Sequence, residues 1–561
     1  MPKSTLSPAV SATPSMTPRQ IWLVLIGLMS GLFLSALDQT VVGTAMRTIA
    51  DDLNGLALQA WVTTAYLITS TVVTPIAGKL SDIFGRRPIY MWSIIIFLIG
   101  SVASGFAWSM GSLAGFRALQ GIGGGGLMSL AFTIIADMVA PRERAKYQGF
   151  FIAVFGSSSV IGPLVGGFFA GMNEMLWIDG WRWVFLINVP IGAIAVYMVW
   201  RFLHVPQIRH NVPIDWLGVV TVILSVVPLL IVAELGRDWG WLSPLSLLMY
   251  ALGIAGIVGF IIAESRMGDN ALIPLSLFRS TTFTQITVLG VLVGFAMFGA
   301  MMTLPLFLQL VVGSNPTESG MQMLPLVIGI MVSTAIGGRV ISRTGRYKML
   351  PVVGTGLLVM AFLWLGQITR DSDLGFLMLG MLLVGSGLGL TMQTLTLASQ
   401  NAVDPHHMGV ATAAATFFRQ IGGTLGTAVL FSVLFGRIPE AIKEIFAQPQ
   451  TQTDLATAFR DPNIVNNPAN AGIIDLLKQG SANPESLNGA LSGNTSFLNG
   501  ADSALALPFI EGFAVSAQSV YFVALIVAFA AFVLSWFIKD EPLREKSGHQ
   551  ESVDAAAAAG H

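Results

Sequence analysis

The sequence contains no cysteine among its 561 residues. This absence excludes disulfide bonds, thiolate nucleophiles and cysteine-based metal sites. Charged residues are also scarce, since they make up 11% of the chain, whereas an ordinary soluble domain carries about 25%. The net charge of -1 shows no basic excess, so no nucleic-acid partner is expected.

Hydrophobic residues make up 54% of the chain and occur in long runs separated by polar breaks. A bilayer core about 30 Å thick needs roughly 20 apolar residues per helix. The first run begins at Ile21 and is too long for a signal-peptide core, so it is expected to remain as a span. The runs predict fourteen spans, at roughly 21–45, 57–78, 88–108, 111–138, 149–172, 183–203, 214–235, 243–264, 283–312, 317–338, 348–368, 374–398, 408–435 and 516–538.

Lys and Arg are concentrated on one of the two sides of the membrane that these spans define. The inner segments hold 19 of them, whereas the short outer loops hold four. Short cytoplasmic loops of membrane proteins carry the excess of Lys and Arg. The pattern therefore predicts a multi-pass protein of the cell (inner) membrane, with an even number of spans and both termini in the cytoplasm.

The two halves of the chain repeat. The segment 78–88 (GKLSDIFGRRP) recurs in outline 259 positions later as 337–348 (GGRVISRTGRYK), and VAP at 139 recurs 264 positions later as VDP. Parallel six-helix halves around a central site are a common transporter design. The predicted units are a cytoplasmic tail at 1–20, a six-helix bundle at 21–203, a linker with two inserted spans at 204–282, a second bundle at 283–538 and a cytoplasmic tail at 539–561 that is expected to be disordered.

One long outer connection, 436–515, lies inside the second bundle and is rich in Asn, Ala, Gly and Ser. Two interpretations are open for it. It is either a mobile, solvated loop, or it contains a short amphipathic helix near 473–477 that lies on the membrane or over the mouth of the pore.

Two motifs resemble a known family. The segment 78–88 resembles the signature between the second and third helices of the major facilitator superfamily. The segment 37–42 (LDQTVV) resembles the first-helix motif of its fourteen-helix drug:proton antiporter branch. The resemblance covers nearly the whole chain except the tails and the outer connection, and it implies an all-α integral membrane fold of two six-helix bundles plus two inserted helices.

The first motif predicts a gate on the cytoplasmic side. Asp82 is expected to cap a neighbouring helix, while Arg86 and Arg87 hold acids such as Asp137. The alternative is that the basic residues only set the topology. The proposed gate residues are Gly78, Asp82, Gly85, Arg86, Arg87 and Asp137.

The second motif places Asp38 well inside the first span. An acid there is costly unless it is neutralised or paired, so it is a candidate for proton coupling. The resemblance implies that its partner is Arg117, which with Gln120 resembles the Arg motif of the family. The alternative is a permanently paired, structural Asp38.

The fifth span carries a third motif, which resembles the antiporter signature of the family. Small residues and an internal proline would give a close, mobile helix crossing, although general membrane packing also favours glycine. The residues are Gly156, Gly162, Pro163, Gly166 and Gly167.

A substrate cavity is expected between the bundles. Methionine suits a cavity that accepts varied apolar shapes, although ordinary core packing explains each residue equally well. The candidates are Gln120, Met297, Met301, Phe307, Gln309 and Gln393. Arg419 is interpreted as a side chain that reaches the inner surface or a lipid phosphate, with a substrate role as the alternative.

No phosphate loop ending in Gly-Lys-Ser/Thr is present, and 121–126 (GIGGGG) lies inside a span, where it is a packing face and not a nucleotide site. We therefore expect that the protein is not an enzyme and binds no nucleotide, metal or other cofactor. We also expect a monomer in contact with membrane lipids. The resemblance implies export of amphipathic or cationic drugs, with the proton gradient as the energy source. The alternatives are a facilitator for a lipid, siderophore or cell-envelope precursor and, last, a transceptor that does not transport.

Overall fold

The computed structural model describes residues 18–53, 58–139, 141–203, 213–404, 407–482 and 501–543. Most of the predicted N-terminal tail, part of the linker, part of the outer connection and most of the C-terminal tail lie outside the described residues. We call the side that carries Arg86 the cytoplasmic side, following the positive-inside prediction.

The N-terminal half is a bundle of long helices with one short hairpin on the outer side. Its two strands, β1 (Glu174–Met175) and β2 (Ile178–Asp179), are antiparallel. The helices are α1 (Pro18–Asp52), α2 (Gln59–Phe84), α3 (Arg86–Gly105), α4 (Met110–Met138), α5 (Pro141–Ala170), α6 (Trp183–Leu186) and α7 (Asn188–Phe202).

An inserted pair of helices and a second bundle follow. The inserted pair is α8 (Trp216–Trp239) and α9 (Pro244–Met267). The second bundle contains α10 (Thr281–Leu310), α11 (Pro316–Gln322), α12 (Leu324–Thr344), α13 (Met349–Leu365), α14 (Leu374–Asn401), α15 (Met408–Phe446), α16 (Pro449–Ala458), α17 (Pro462–Val465), α18 (Ala471–Ala482) and α19 (Ser503–Trp536).

The predicted spans coincide in position with the long helices of the described residues. Twelve of these helices are long and apolar enough to cross a membrane. Helix α13 is apolar but has 17 residues, and α2 has 26 residues and is rich in Thr and Ser. The all-α fold of two bundles and an inserted pair is confirmed, while the count of fourteen crossings stays a prediction.

The outer connection is more ordered than a solvated loop. Helix α15 continues to Phe446 and α19 begins at Ser503, so both helices extend into the predicted connection 436–515, whose bounds stay a prediction. Helix α18 covers the predicted amphipathic segment, and its Ile473 and Ile474 are buried in the core of the second bundle. Their apolar face is therefore covered by protein, because the extended ends of α15 and α19 offer a surface to pack against.

Glycine lets α4 pass closely between its neighbours. A β-carbon on Gly121 would lie 2.5 Å from the carbonyl oxygen of Tyr66 in α2, and one on Gly123 would lie 2.5 Å from the backbone nitrogen of Phe97 in α3. Small residues allow such approaches in membranes, where packing replaces the hydrophobic drive between helices. The segment 121–126 is therefore a packing face, as predicted.

We expect Gly125→Ala to destabilise the N-terminal bundle by roughly 1–3 kcal/mol, the usual effect of overpacking. Its β-carbon would lie 2.2 Å from the carbonyl oxygen of Ser70, which belongs to the backbone of α2. The measurement is thermal unfolding of purified protein in detergent. Gly115→Ala on the same helix is the control, because no atom lies within 4 Å of its β-carbon. Equal melting temperatures for the two variants would contradict the packing argument.

Candidate functional site

Asp38 lies at the centre of a closed polar cluster inside the N-terminal bundle. Its side chain forms an ion pair with Arg117, and each of the two residues is 1% exposed. Gln120 donates to Asp38 Oδ1 at 2.9 Å and accepts from Arg117 at 2.7 Å. The structure thus brings together α1 and α4, as the resemblance implied, and it places Gln120 in this cluster and not in an open cavity.

Asn188 is a member of the cluster that the sequence interpretation missed. Its side-chain nitrogen donates to Asp38 Oδ1 and to Ser101 Oγ, both at 2.9 Å. Asn188 opens α7 and is fully buried. The available signal in the sequence was the single amide side chain of Asn188 in an apolar run. A polar side chain that is buried in a membrane helix needs a hydrogen-bond partner, so such a residue points to a polar cluster.

Tyr66 completes the surroundings of Arg117. The guanidinium carbon lies 4.4 Å from the centre of the Tyr66 ring, and a cation over an aromatic face is attracted to it. The Tyr66 hydroxyl is 2.8 Å from Ser35 Oγ. The charges of Asp38 and Arg117 thus balance, and four helices, α1, α2, α4 and α7, hold the pair.

The gate segment 78–88 spans the turn between α2 and α3. Gly85 has φ +114°, in the region that favours glycine, and this turn brings Arg86 back towards α2 and α4. Arg86 pairs with Asp82, and its Nε donates to Asp137 Oδ2 at 2.7 Å. Arg86 also donates to Ser81 Oγ at 2.6 Å. One guanidinium therefore joins the cytoplasmic ends of α2, α3 and α4.

This segment also meets the second bundle. A β-carbon on Gly409, in the first turn of α15, would lie 2.5 Å from Asp82 Oδ1 and 2.7 Å from Arg86 Nη2. A β-carbon on Gly78 would lie 2.5 Å from Ala413 Cβ. Asp82 therefore lies at the N-terminus of α15, where the helix dipole favours a negative charge.

Arg87 differs from the prediction. It donates to the carbonyl oxygen of Trp200 at 2.5 Å, near the end of α7, and not to Asp137. The residue after Arg86 on a helix points about 100° away, so the two neighbours cannot serve the same acid as readily. Arg87 fixes α3 to α7 within one bundle, and Arg86 alone holds the acids.

The third motif presents two faces of α5. On one face, β-carbons on Gly162 and Gly166 would lie 2.5 Å from Thr40 Cβ and 2.7 Å from the Val41 carbonyl oxygen of α1. Thr40 also donates to the carbonyl oxygen of Ser158 at 3.0 Å. This face belongs to the inside of the N-terminal bundle.

The other face of α5 meets the second bundle. A β-carbon on Gly156 would lie 2.3 Å from Val327 Cγ1 of α12, and one on Gly320 would lie 3.2 Å from Pro163 Cγ. Gly167 is exposed. Of the five predicted residues, Gly156 and Pro163 therefore lie at the joint between the bundles.

The predicted cavity residues lie in different surroundings. Met297 and Met301 are partly buried and Gln309 is exposed near the outer end of α10. Gln393 is buried in α14. Phe307 is fully buried in the core of the second bundle, and its place in a cavity wall stays a prediction.

Comparison with known proteins places this architecture in a family. The sequence profile of the Major Facilitator Superfamily matches residues 28–427. The chain therefore belongs to this superfamily, whose members are membrane transporters and not enzymes. The predicted superfamily and the multi-pass membrane location are confirmed.

Individual relatives agree with this placement. The chain is 42% identical over 418 residues to the Multidrug transporter protein MdtP of Bacillus subtilis. The aligned region covers 74% of this chain and 75% of the relative. The chain is also 36% identical over 346 residues to the Tetracycline resistance determinant of Streptomyces rimosus, with 62% and 96% covered. The solved structure of the human organic anion transporter MFSD10 has a TM-score of 0.57 at 15% identity and covers 93% of this chain and 100% of that one. At that identity it shows the fold alone.

The gate contact predicts how access from the cytoplasm is controlled. Because the chain has no cysteine, Thr416→Cys gives a single thiol at a buried position of α15 beyond the gate. We expect Arg86→Ala or Asp82→Asn to raise its labelling rate by a soluble maleimide about tenfold, which corresponds to about 1.4 kcal/mol. Either substitution removes contacts between the segment 78–88 and α15, so the reagent should reach the thiol from the cytoplasmic side more often.

Arg87→Ala in the same background is the control, since the hydrogen bond of Arg87 goes to Trp200 in its own bundle. Its labelling rate is expected to stay near that of the parent. Equal rates in all four proteins would remove the gate role.

Proposed function

We propose that the protein exports amphipathic compounds from the cytoplasm or the inner leaflet in exchange for protons, by alternating access. The observation that carries the proposal is the buried pair of Asp38 and Arg117 with its amide donors. The printed names of the relatives, a multidrug transporter and a tetracycline resistance determinant, support a drug-like cargo.

Asp38 is the proposed proton carrier. In the cluster its charge is balanced by Arg117, and two amides donate to it. A motion that draws α1 from α4 would leave a carboxylate in a low-dielectric interior, and such a group binds a proton to lose its charge. Arg117 keeps its proton throughout, so it acts by charge and hydrogen bonding.

Alternating access would use the two contacts between the bundles. On the cytoplasmic side the segment 78–88 meets the first turns of α15, and Gly156 of α5 meets Val327 of α12. Opening the first contact while the second holds would admit substrate from the cytoplasm. Both bundles lie in one chain, so the proposal needs only a monomer, and its energy source is the proton gradient without a further cofactor.

We expect Asp38→Asn to abolish uphill, proton-driven transport, because the amide cannot carry the proton. The measurement uses purified protein in liposomes with an imposed pH gradient and a fluorescent amphipathic dye. Asp179→Asn is the control, since this acid lies on the outer hairpin and is half exposed. Retained uphill transport by Asp38→Asn would reassign the proton to another group.

We expect Gly156→Leu to slow transport more than tenfold, because its side chain would collide with Val327 at the joint between the bundles. The yield of folded protein should change little, since Gly156 lies between bundles and not inside one. Gly167→Leu at an exposed position is the control. If the two variants transport equally well, the antiporter motif is packing alone.

A further inference from the structure

Arg419 is a charged side chain inside a membrane span for which the proposed mechanism has no role. It lies in α15, and none of the hydrogen bonds or ion pairs among the described residues includes its side chain. By contrast, Arg117 has an acid, an amide and an aromatic ring around it. A charge in a span is costly and marks a functional site by default.

Arg419 is too deep to reach the cytoplasmic surface. It is eleven residues after Met408, the first residue of α15, which places it about 16 Å along the helix. Met408 is next to Gly409, which touches Asp82 and Arg86 of the gate. An extended arginine side chain does not cover that distance, so the interpretation that Arg419 reaches the inner surface is not supported.

The neighbours of Arg419 on α15 give the direction of its side chain. Thr412, two turns earlier on the same face, accepts from Gln400 of α14 at 3.0 Å. Gly422 packs on α10, where its β-carbon would lie 2.2 Å from the Val291 carbonyl oxygen. Gln420 is reached by Thr74 of α2 at 3.2 Å. Thr412 shares the face of α15 that carries Arg419, and Gln420 is the next residue along the helix. The side chain of Arg419 therefore leaves α15 next to α10, from the part of the helix that borders α14 and the N-terminal bundle.

Helix α10 packs tightly on Arg419 at one glycine and leaves space at another. A β-carbon on Gly294 would lie 2.3 Å from the Arg419 carbonyl oxygen and 3.2 Å from Arg419 Cγ, while one on Gly290 would have only Arg419 Cβ within 4 Å, at 3.9 Å. Met297 and Met301, further along α10, are partly buried. The surroundings thus combine one unpaired cation with flexible apolar side chains.

The charge beside Arg419 itself is positive. Asp38 is neutralised by Arg117 in a closed cluster, and Asp82 and Asp137 share Arg86 at the cytoplasmic end, about 16 Å away along α15. Among the described residues Arg419 is therefore left with one uncompensated charge at the interface. In a low-dielectric site this charge attracts an anion and repels a cation.

We propose that Arg419 binds the anionic group, a carboxylate or sulfonate, of amphipathic substrates. This inference rests on the proposed export function and narrows its substrate class to compounds with an anionic or zwitterionic head. A guanidinium suits the task because its planar donors match a carboxylate. This proposal also replaces the expected preference for cationic drugs. A cationic drug without an anionic group would be repelled by the positive charge of Arg419.

The test uses two dyes that differ in one charge. Rhodamine B has a free carboxylate, and its ethyl ester has the same rings and a net positive charge. Binding to purified full-length protein in maltoside detergent is followed by fluorescence anisotropy, so this measurement does not depend on transport. We expect the parent protein to bind the carboxylate dye about tenfold more tightly than the ester.

Arg419→Gln should remove this preference by weakening the carboxylate dye, whereas Arg419→Lys should keep part of it. Arg437→Gln is the control, because it removes a basic charge from the outer surface, where Arg437 pairs with Glu440 and Glu444. Equal losses for both dyes in Arg419→Gln would indicate a structural role and overturn the proposal. An unchanged preference in Arg419→Gln would overturn it as well.

A lipid phosphate is the competing occupant with the same chemistry. Added phosphatidylglycerol should leave the carboxylate preference of the parent in place. If this lipid abolishes the preference, Arg419 is a lipid site and the substrate assignment falls. In liposomes the same preference should appear in proton-driven transport. If the protein shows the binding preference but no proton-driven transport, the proposed export function is wrong, whereas the anion-binding site is supported.

Discussion

A charge inside a membrane span has no water to solvate it, and this constraint organises the N-terminal bundle. The charge of Asp38 is balanced by Arg117, and the side chains of Gln120 and Asn188 donate hydrogen bonds to the carboxylate of Asp38. Because these residues come from α1, α4 and α7, pairing the acid also fixes how these helices pack. In the proposed cycle, protonation of Asp38 would therefore also change how these helices pack.

Close backbone contact is the second requirement of this fold. Between helices surrounded by lipid, packing and hydrogen bonds replace the hydrophobic effect. Glycine occurs where α4 passes α2 and α3, where α5 crosses α1, and where the bundles meet at Gly156 and Gly78. The contacts inside a bundle fix its shape, while the contacts between bundles are the ones that can be exchanged. The same residue type thus serves rigidity in one place and motion in another.

The two arginines at mid-span have different surroundings and therefore different consequences. Arg117 is buried and pairs with Asp38 beneath the Tyr66 ring, so its charge is balanced within the chain. Arg419 lies at the interface of the bundles with no ion pair or hydrogen bond among the described residues. Its charge is then left to be solvated by water or neutralised by an anionic substrate, as proposed above.

The sequence by itself determined the membrane class and the positions of the long helices, and it singled out Asp38 and the segment 78–88 as candidate functional positions. These follow from hydropathy, charge and motif spacing, which are local properties of the chain. Only the tertiary structure decided that Asn188 and Tyr66 join Asp38 and Arg117, that Arg87 turns to Trp200, and that Arg419 forms no ion pair with any of the described acids. Each of these depends on the distance between helices that are far apart in sequence, and a run of apolar residues specifies that a helix spans the membrane but not which neighbour each of its faces will meet.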